Sequence, residues 1–197
     1  MKPVVLASIL LSFALHAQAQ TSIFGMQLGA RLSVQECEKV KTATTVIYRP
    51  AVNAPCFKRL WSSGETGRIT TDTVAISLPI GQIPSPMSGT EVMALVLDGN
   101  LEGVGFNTAG IRTQEIALAE LTEKFGPPDS LERRPAQNAL GASFDVIYAT
   151  WSQSGPVVRF DGASGNITSG FVTVDTPKAH AWRAQALKAL TEKKPKL

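Results

Sequence analysis

One hairpin in the middle of the chain most strongly constrains the fold. Two apolar runs, 92–96 and 101–106, flank the turn residues Asp98-Gly99-Asn100. A turn this short joins antiparallel strands, and its glycine can take a positive φ angle without a Cβ clash. Because the other β-type runs are also separated by short Gly, Pro and Asn segments, we predict an antiparallel sheet.

The remaining strand candidates lie on both sides of this hairpin. They are rich in Thr, Val, Ile and aromatic residues, which favour pleated structure. The runs are 44–48, 56–61 and 69–78 before the hairpin, and 144–151, 157–160 and 167–174 after it. The sequence predicts loops at 79–90 and 129–143, and a turn at 161–166, where Asp and Gly are frequent.

Three helices are predicted between these strands. Ser33 and Glu36 have capping-box spacing and start a short helix that ends near Lys41. An amphipathic pattern covers 113–125 before Gly126, and a third helix starts at Pro177. We therefore expect an α+β fold in which an antiparallel β-sheet packs against helices, with a C-terminal helix. The similar openings of the first two helices leave open an arrangement of two related helix-plus-strands halves.

The first 19 residues have the pattern of a secretory signal peptide. Lys2 precedes an apolar run at 4–15, and Ala17-Gln18-Ala19 forms a small-residue cleavage site. We expect cleavage after Ala19, a periplasmic or secreted location, and a single domain over 20–197. No later run approaches the 18 or so apolar residues of a membrane span, so an integral membrane protein is not expected.

The two cysteines, Cys37 and Cys56, are expected to form a disulfide, because an exported chain meets an oxidising compartment. A C-x-x-C redox motif is absent. A catalytic thiol would need a histidine, and His180 is the only one after the leader. The sequence therefore favours a structural bridge over a nucleophile.

Basic residues are concentrated at the end of the chain. The net charge is +3 with a pI near 9.0, yet residues 178–197 form a basic helix and tail with Glu192 as the only acid. The preceding body is slightly acidic, so nucleic-acid binding is not expected. Lys193 and Lys194 are predicted to be a solvated helix end or a contact with an anionic surface. Arg133 and Arg134, in a mixed-charge loop, are candidate contacts for an acidic partner.

Reactive constellations are missing from the sequence. The serine-hydrolase, zinc-protease, phosphate-loop and dinucleotide motifs are absent, and we expect no catalytic set, no metal site and no cofactor. A carboxylate pair could still support glycoside hydrolysis. No two of the acidic candidates stand out as a pair; they are Asp72, Asp98, Glu102, Glu115, Asp145 and Asp161.

Two segments resemble small exported bacterial proteins. The first is 24–29, read as Phe-Gly-Met-Gln-Leu-Gly, and the second combines the hairpin with the helix end at 121–128 and Trp151. The "G-x-P" helix end is also similar to outer-membrane assembly lipoproteins of the BamE/SmpA type and to β-lactamase-inhibitor-like domains. The resemblance implies an envelope location and a fold, and it carries no catalytic residue. The chain departs from the lipoproteins because it lacks their lipid-bearing cysteine.

These observations together predict a non-enzymatic exported protein. Its expected role is to bind an unknown protein partner in the cell envelope, or to act as an envelope accessory module. Two alternatives remain open: a cell-wall hydrolase that uses carboxylates, and a small-ligand carrier. The carrier would need an apolar pocket between sheet and helix.

Overall fold

A computed structural model describes residues 21–60, 71–137, 141–153 and 155–192. The predicted leader, Lys193 and Lys194 lie outside the described residues. Strands account for 46% of the described residues and helices for 22%. None of the described helices is long and apolar enough to cross a bilayer.

Thirteen strands and two α-helices follow one another along the described part of the chain. The helices are α1, Gln114–Phe125, and α2, Pro177–Glu192. The strands are β1 Ser22–Ile23, β2 Met26–Gln27, β3 Gln35–Glu36, β4 Lys39–Lys41, β5 Val46–Tyr48, β6 Cys56–Arg59, β7 Asp72–Ser77, β8 Glu91–Leu97, β9 Asn100–Thr108, β10 Ser130–Gln137, β11 Ser143–Trp151, β12 Val157–Asn166 and β13 Ser169–Asp175.

Nine of these strands form one mixed sheet in the order β10-β11-β12-β13-β9-β8-β7-β6-β3. Its neighbours are antiparallel except for the parallel pair β3 and β6. The predicted hairpin is confirmed as β8 and β9. Asp98 and Gly99 have φ angles of 52° and 79°, which is the geometry of a type I′ turn and matches the twist of the two strands.

The two helices pack on opposite faces of this sheet. Alternate side chains of a strand point to opposite faces, and the buried residues of β8 divide accordingly. Ala94 and Val96 belong to the main core, which includes Ala117 and Leu121 of α1. Leu95 and Leu97 instead pack with Ala179 of α2. The main core therefore lies between α1 and one face, while α2 covers part of the other.

The expected α+β fold, with two related helix-plus-strands halves, is wrong. The protein is β-rich, and the predicted helix from Ser33 to Lys41 is replaced by the short strands β3 and β4. The confirmed Cys37–Cys56 disulfide holds this segment beside β6, with the two Cα atoms 4.9 Å apart, and the Cys37 N–H donates to the Phe57 carbonyl. Tertiary pairing thus overrides the capping-box signal.

Two further local expectations are wrong. The predicted loop at 129–143 contains β10, whose eight residues pair with β11. The predicted turn at 161–166 lies within β12, which bulges between Asp161 and Asn166. Polar side chains hid both strands because β10 is an edge strand and the bulge is largely exposed.

The two later helices are confirmed close to their predicted bounds. Gly126, at φ 82°, ends α1. At the start of α2, the Thr176 hydroxyl accepts a hydrogen bond from the Ala179 N–H at 3.2 Å, which is the expected N-cap contact.

Candidate functional site

An apolar groove lies between α1 and the sheet. Phe106 of β9 and Val172 of β13 line its floor, and Ala117 and Leu121 of α1 line one wall. Its volume is about 240 Å³. The other lining residues are Ile23, Phe24, Pro84, Pro86, Glu120, Lys124, Phe125 and Val174. All but Glu120 and Lys124 are apolar, so the groove is a candidate site for an apolar ligand.

The α1 wall follows from the helical pattern in the sequence. Ala117, Leu121 and Phe125 are spaced four residues apart, so they share one face of the helix. Beyond this face, the Trp151 indole N–H donates to the carbonyl of Gly126 at 2.8 Å. This bond ties the end of α1 to β11 and fixes one end of the groove wall.

The start of α1 is tied to the same strand by Gln114. Its Nε2 donates to the Asp145 carbonyl at 2.7 Å, and its Oε1 accepts the Ile147 N–H at 3.0 Å. Both ends of α1 are therefore hydrogen-bonded to β11. The spacing between helix and sheet, and with it the width of the groove, is held by polar contacts at both ends.

Phe24 forms a wall of the groove, and its backbone adopts an unfavourable positive φ angle there. It has a φ of 51° and Gly25 a φ of 76°, and the two residues make the turn between β1 and β2. A non-glycine residue in this region costs on the order of 1 kcal/mol or more. The Phe24 ring packs edge-to-face on Phe106, with centroids 5.3 Å apart and an interplanar angle of 76°.

Sequence reasoning singled out the Phe24 segment only as a resemblance and missed its part in a site. A usable signal was present. Apolar and polar residues alternate on both sides of Phe24-Gly25, as Ser22-Ile23 and Met26-Gln27, where a tight hairpin turn would favour Asn-Gly or Asp-Gly. An aromatic residue at such a position indicates that its ring packs against a neighbouring element, because strained backbone conformations persist where the surrounding structure requires them.

Two opposite charges stand at the rim of the groove. Glu120 and Lys124 are one helical turn apart on α1 and both are exposed. Two effects raise the pKa of the Glu120 carboxyl. The larger is partial loss of water around it beside the groove, and the smaller is the negative charge of Glu123. Lys124 Nζ lies 6.0 Å from the centroid of the Phe125 ring. The polar part of a bound amphiphile would meet these two groups.

The predicted contact residues Arg133 and Arg134 lie on the edge strand β10. Arg133 makes a bidentate pair with Glu115, at 2.7 and 3.0 Å, which lowers the pKa of that carboxyl. Arg134 pairs with Glu132, and its guanidinium carbon lies 4.8 Å from the Tyr148 ring centroid. Their charges are locally balanced, and their role as partner contacts stays a prediction.

The acidic candidates are spread over the sheet, its turns and α1, and most of them make local contacts. Asp98 and Glu102 both approach the ammonium group of Lys178, at 2.7 and 3.6 Å, and Glu102 also accepts the Thr176 hydroxyl at 2.6 Å. Together these contacts hold the start of α2 against β9 and its turn. Of the others, Glu115 and Asp161 pair with arginines, and Asp72 accepts the Thr73 N–H. Asp145 is exposed.

A buried carboxylate lies beneath α2. Asp175 is 4% exposed, and its Oδ2 lies 2.9 Å from Arg183 Nε. Its Oδ1 has no hydrogen-bond partner and lies against the backbone of Gly103, where a Cβ would clash. Burial raises the pKa of the Asp175 carboxyl, and the charges of Arg183 and His180 oppose the rise. His180 itself is exposed on α2.

The described residues contain no group of three or more His, Cys, Asp or Glu side chains arranged to hold a metal ion. Comparison of the chain with protein-family models, curated proteins and solved structures finds no match. The similarity to small exported bacterial proteins therefore stays a prediction.

Proposed function

We propose that this protein is a non-catalytic binding protein that holds a small apolar ligand, or the apolar chain of an amphiphile, in the groove between α1 and the sheet. The observation that carries the proposal is the groove itself, whose lining is apolar except for Glu120 and Lys124 at the rim. This corresponds to the small-ligand carrier among the alternatives that the sequence leaves open. The leader-like N-terminus and the disulfide support action outside the cytoplasm.

The size of the groove suggests the size of the ligand. A dry cavity of about 150 Å³ can hold benzene, and sites for drug-sized ligands run from about 300 to 1,000 Å³. At about 240 Å³, the groove suits one ring or a short aliphatic chain. Six buried methylenes at about 0.8 kcal/mol each would contribute about 5 kcal/mol before the cost of association.

Taken without that cost, about 5 kcal/mol corresponds to a Kd of about 0.2 mM, and the cost of association makes binding of the aliphatic chain alone weaker than this. Tighter binding needs contacts at the rim. Glu120 and Lys124 supply a carboxylate and an ammonium beside the opening, so an amphiphile would place its polar group there and its chain inside. A ligand that is apolar throughout would gain nothing from the rim.

Titration with 1-hexanol, a neutral probe whose chain has the length that the groove suits, followed by NMR of the protein, tests the proposal. Ala117→Leu places a larger side chain in the groove, while Ala119→Leu makes the same change on the exposed side of α1. We expect the wild type and Ala119→Leu to bind the probe equally. Ala117→Leu should bind at least tenfold more weakly, and its Tm should fall by several degrees at most, because added methyl groups at a buried site cost about 1–3 kcal/mol.

Two results would count against the proposal. One is the absence of saturable probe binding by the wild type up to millimolar concentrations. The other is equal affinity for Ala117→Leu and Ala119→Leu, because the probe would then sit elsewhere. Circular dichroism of each variant separates loss of binding from loss of fold.

A further inference from the structure

Only the first half of α2 rests on the sheet. Ala179 is fully buried against Leu95 and Leu97, and Arg183 pairs with Asp175. Beyond Arg183, every residue up to Glu192 is exposed except Ala186, which is half-buried. The last two turns of α2 therefore extend past the sheet without a covering layer among the described residues.

Large apolar side chains are exposed on this free part of α2 and at Trp182, just before it. Leu187 is 63% exposed, Leu190 is 64% exposed, and Trp182 is 40% exposed. Trp182, Ala186 and Leu190 are four residues apart, so they continue one helix face, and Leu187 lies beside that face. The same apolar stripe begins at Ala179, where it is buried against the sheet.

Positive charge accompanies this exposed face. Lys188 lies within the free part of α2, where Glu192 balances it at 3.9 Å, and the excess positive charge comes from Lys193, Lys194 and Lys196, which follow in the sequence. Glu192 is the only acid after Asp175. An amphipathic helix with large apolar residues on one side and lysines nearby is the pattern of a helix that lies in the interface of an anionic membrane.

We propose that the free half of α2, residues 184–192, together with Trp182 just before it, binds the surface of an anionic lipid bilayer and inserts Leu187, Leu190 and Trp182 at the headgroup level. A second copy of the chain fits the surface less well. Stable protein interfaces bury about 1,200 Å² or more, and two helical turns with two leucines and one tryptophan offer far less. The excess positive charge of this end of the sequence would also repel a second copy, whereas a bilayer of anionic lipids complements it.

Vesicle co-sedimentation tests the inference with protein purified from the periplasm, its leader removal checked by intact mass. The two probes are vesicles of phosphatidylcholine and phosphatidylglycerol at 1:1, and vesicles of phosphatidylcholine alone. We expect at least tenfold stronger binding to the anionic vesicles, weakening as salt is raised. The double variant Leu187→Ser/Leu190→Ser should lose at least tenfold in affinity.

A matched control changes two exposed apolar residues elsewhere. Ile116 and Leu131 are 45% and 49% exposed, and Ile116→Ser/Leu131→Ser should bind as the wild type does. Replacing Lys193, Lys194 and Lys196 by Gln should remove most of the preference for anionic vesicles. Equal binding to both vesicle types, or unchanged binding by the double leucine variant, would overturn the proposal. A dimer in light scattering that the leucine variant abolishes would instead assign the surface to a second copy.

Discussion

The side chain of Gln114 occupies space that Gly162 leaves open. A Cβ at Gly162 would lie 2.5 Å from Gln114 Oε1. Gly162 belongs to the bulge of β12, where pairing with β11 stops after Tyr148 and Asp161. The Gln114 carboxamide takes over there and bonds both the Asp145 carbonyl and the Ile147 N–H. A helix side chain thus completes the strand ladder at the point where the neighbouring strand bends away.

Replacing Gln114 should be costly for stability. In Gln114→Ala, two backbone groups of β11 lose their partners, and each buried unpaired group costs about 1–3 kcal/mol. We expect urea denaturation to show a loss of about 2–4 kcal/mol in the free energy of unfolding. Gln185→Ala, at an exposed position of α2, should change stability by less than about 0.5 kcal/mol. If Gln114→Ala also lost less than about 0.5 kcal/mol, the result would mean that water replaces the carboxamide.

Replacing Phe24 tests whether its ring forms a wall of the binding site. Asn tolerates a positive φ better than Phe, so Phe24→Asn relieves backbone strain. It also removes the edge-to-face contact with Phe106, which is worth about 0.5–1.5 kcal/mol. The half-buried ring also loses its apolar contacts, worth about 1–2 kcal/mol, so we expect a net loss of about 1–2 kcal/mol in thermal unfolding, while affinity for the apolar probe falls severalfold.

The Phe24 comparison needs an aromatic control. Phe24→Tyr keeps the ring in place and should retain probe binding. If Phe24→Asn and Phe24→Tyr bind the probe equally well, the ring is not a wall of the binding site.

The buried Asp175 should make stability fall as pH rises. Burial raises its pKa in the folded protein above the ordinary value of 3.8. The folded state therefore holds this proton in a pH range where the unfolded chain has released it, and ΔG of unfolding decreases from about pH 4 upward through the folded pKa. Asp175→Asn should remove this slope. Urea denaturation at several pH values from 4 to 7 measures it.

The exposed Glu115 acts in the opposite direction and in a lower range. Arg133 lowers its pKa, so its contribution to stability is lost as pH falls through the folded pKa, below about 4.5. Solvent screening keeps this contribution small.

Parallel pH curves for the wild type and Asp175→Asn above pH 4 would show that Asp175 carries no such linkage.

Pro135 should protect the open edge of the sheet. The Asp145 and Ile147 backbone groups bond Gln114, so they point away from β10. Their cross-strand partners, Pro135 and Arg133, therefore direct their own backbone groups outward, away from β11. Proline removes one outward N–H from this edge and so weakens pairing with another chain.

Pro135→Thr restores that donor and adds β propensity. We expect faster aggregation of the variant in light scattering at raised protein concentration, with Tm changed by only a few degrees. Pro50→Thr, at an exposed position outside the strands, is the control and should aggregate as the wild type does. Equal aggregation of the two variants would show that the edge is protected by other means, such as its charged side chains.

Local signals in the sequence were sufficient for some elements of the fold. The β8–β9 hairpin follows from its turn residues, α1 from its apolar spacing and Gly126, and α2 from Thr176 and Pro177. The α1 face that lines the groove was also predictable, because Ala117 and Leu121 are spaced for burial. These features depend on neighbours in the chain, which is why the pattern carries them.

Other elements depended on distant partners. Ser33 and Glu36 have the spacing of a helix start, but Cys56 and Phe57 hold the segment extended beside β6. The polar residues of β10 resemble a loop until β11 supplies the hydrogen-bond ladder. The site was equally hidden, because Phe24, Phe106 and Leu121 are far apart in sequence and meet only across the layers.

The sequence by itself determined the cysteine pair, the central hairpin, the two α-helices and the absence of known catalytic motifs, since each is written in adjacent or regularly spaced residues. Only the tertiary structure decided that the protein is β-rich, that a groove opens between α1 and the sheet, and that no described residue covers half of α2. The physical reason is that strand pairing and packing between layers join residues far apart in the chain, and their free energy exceeds local propensities of a few tenths of a kcal/mol per residue.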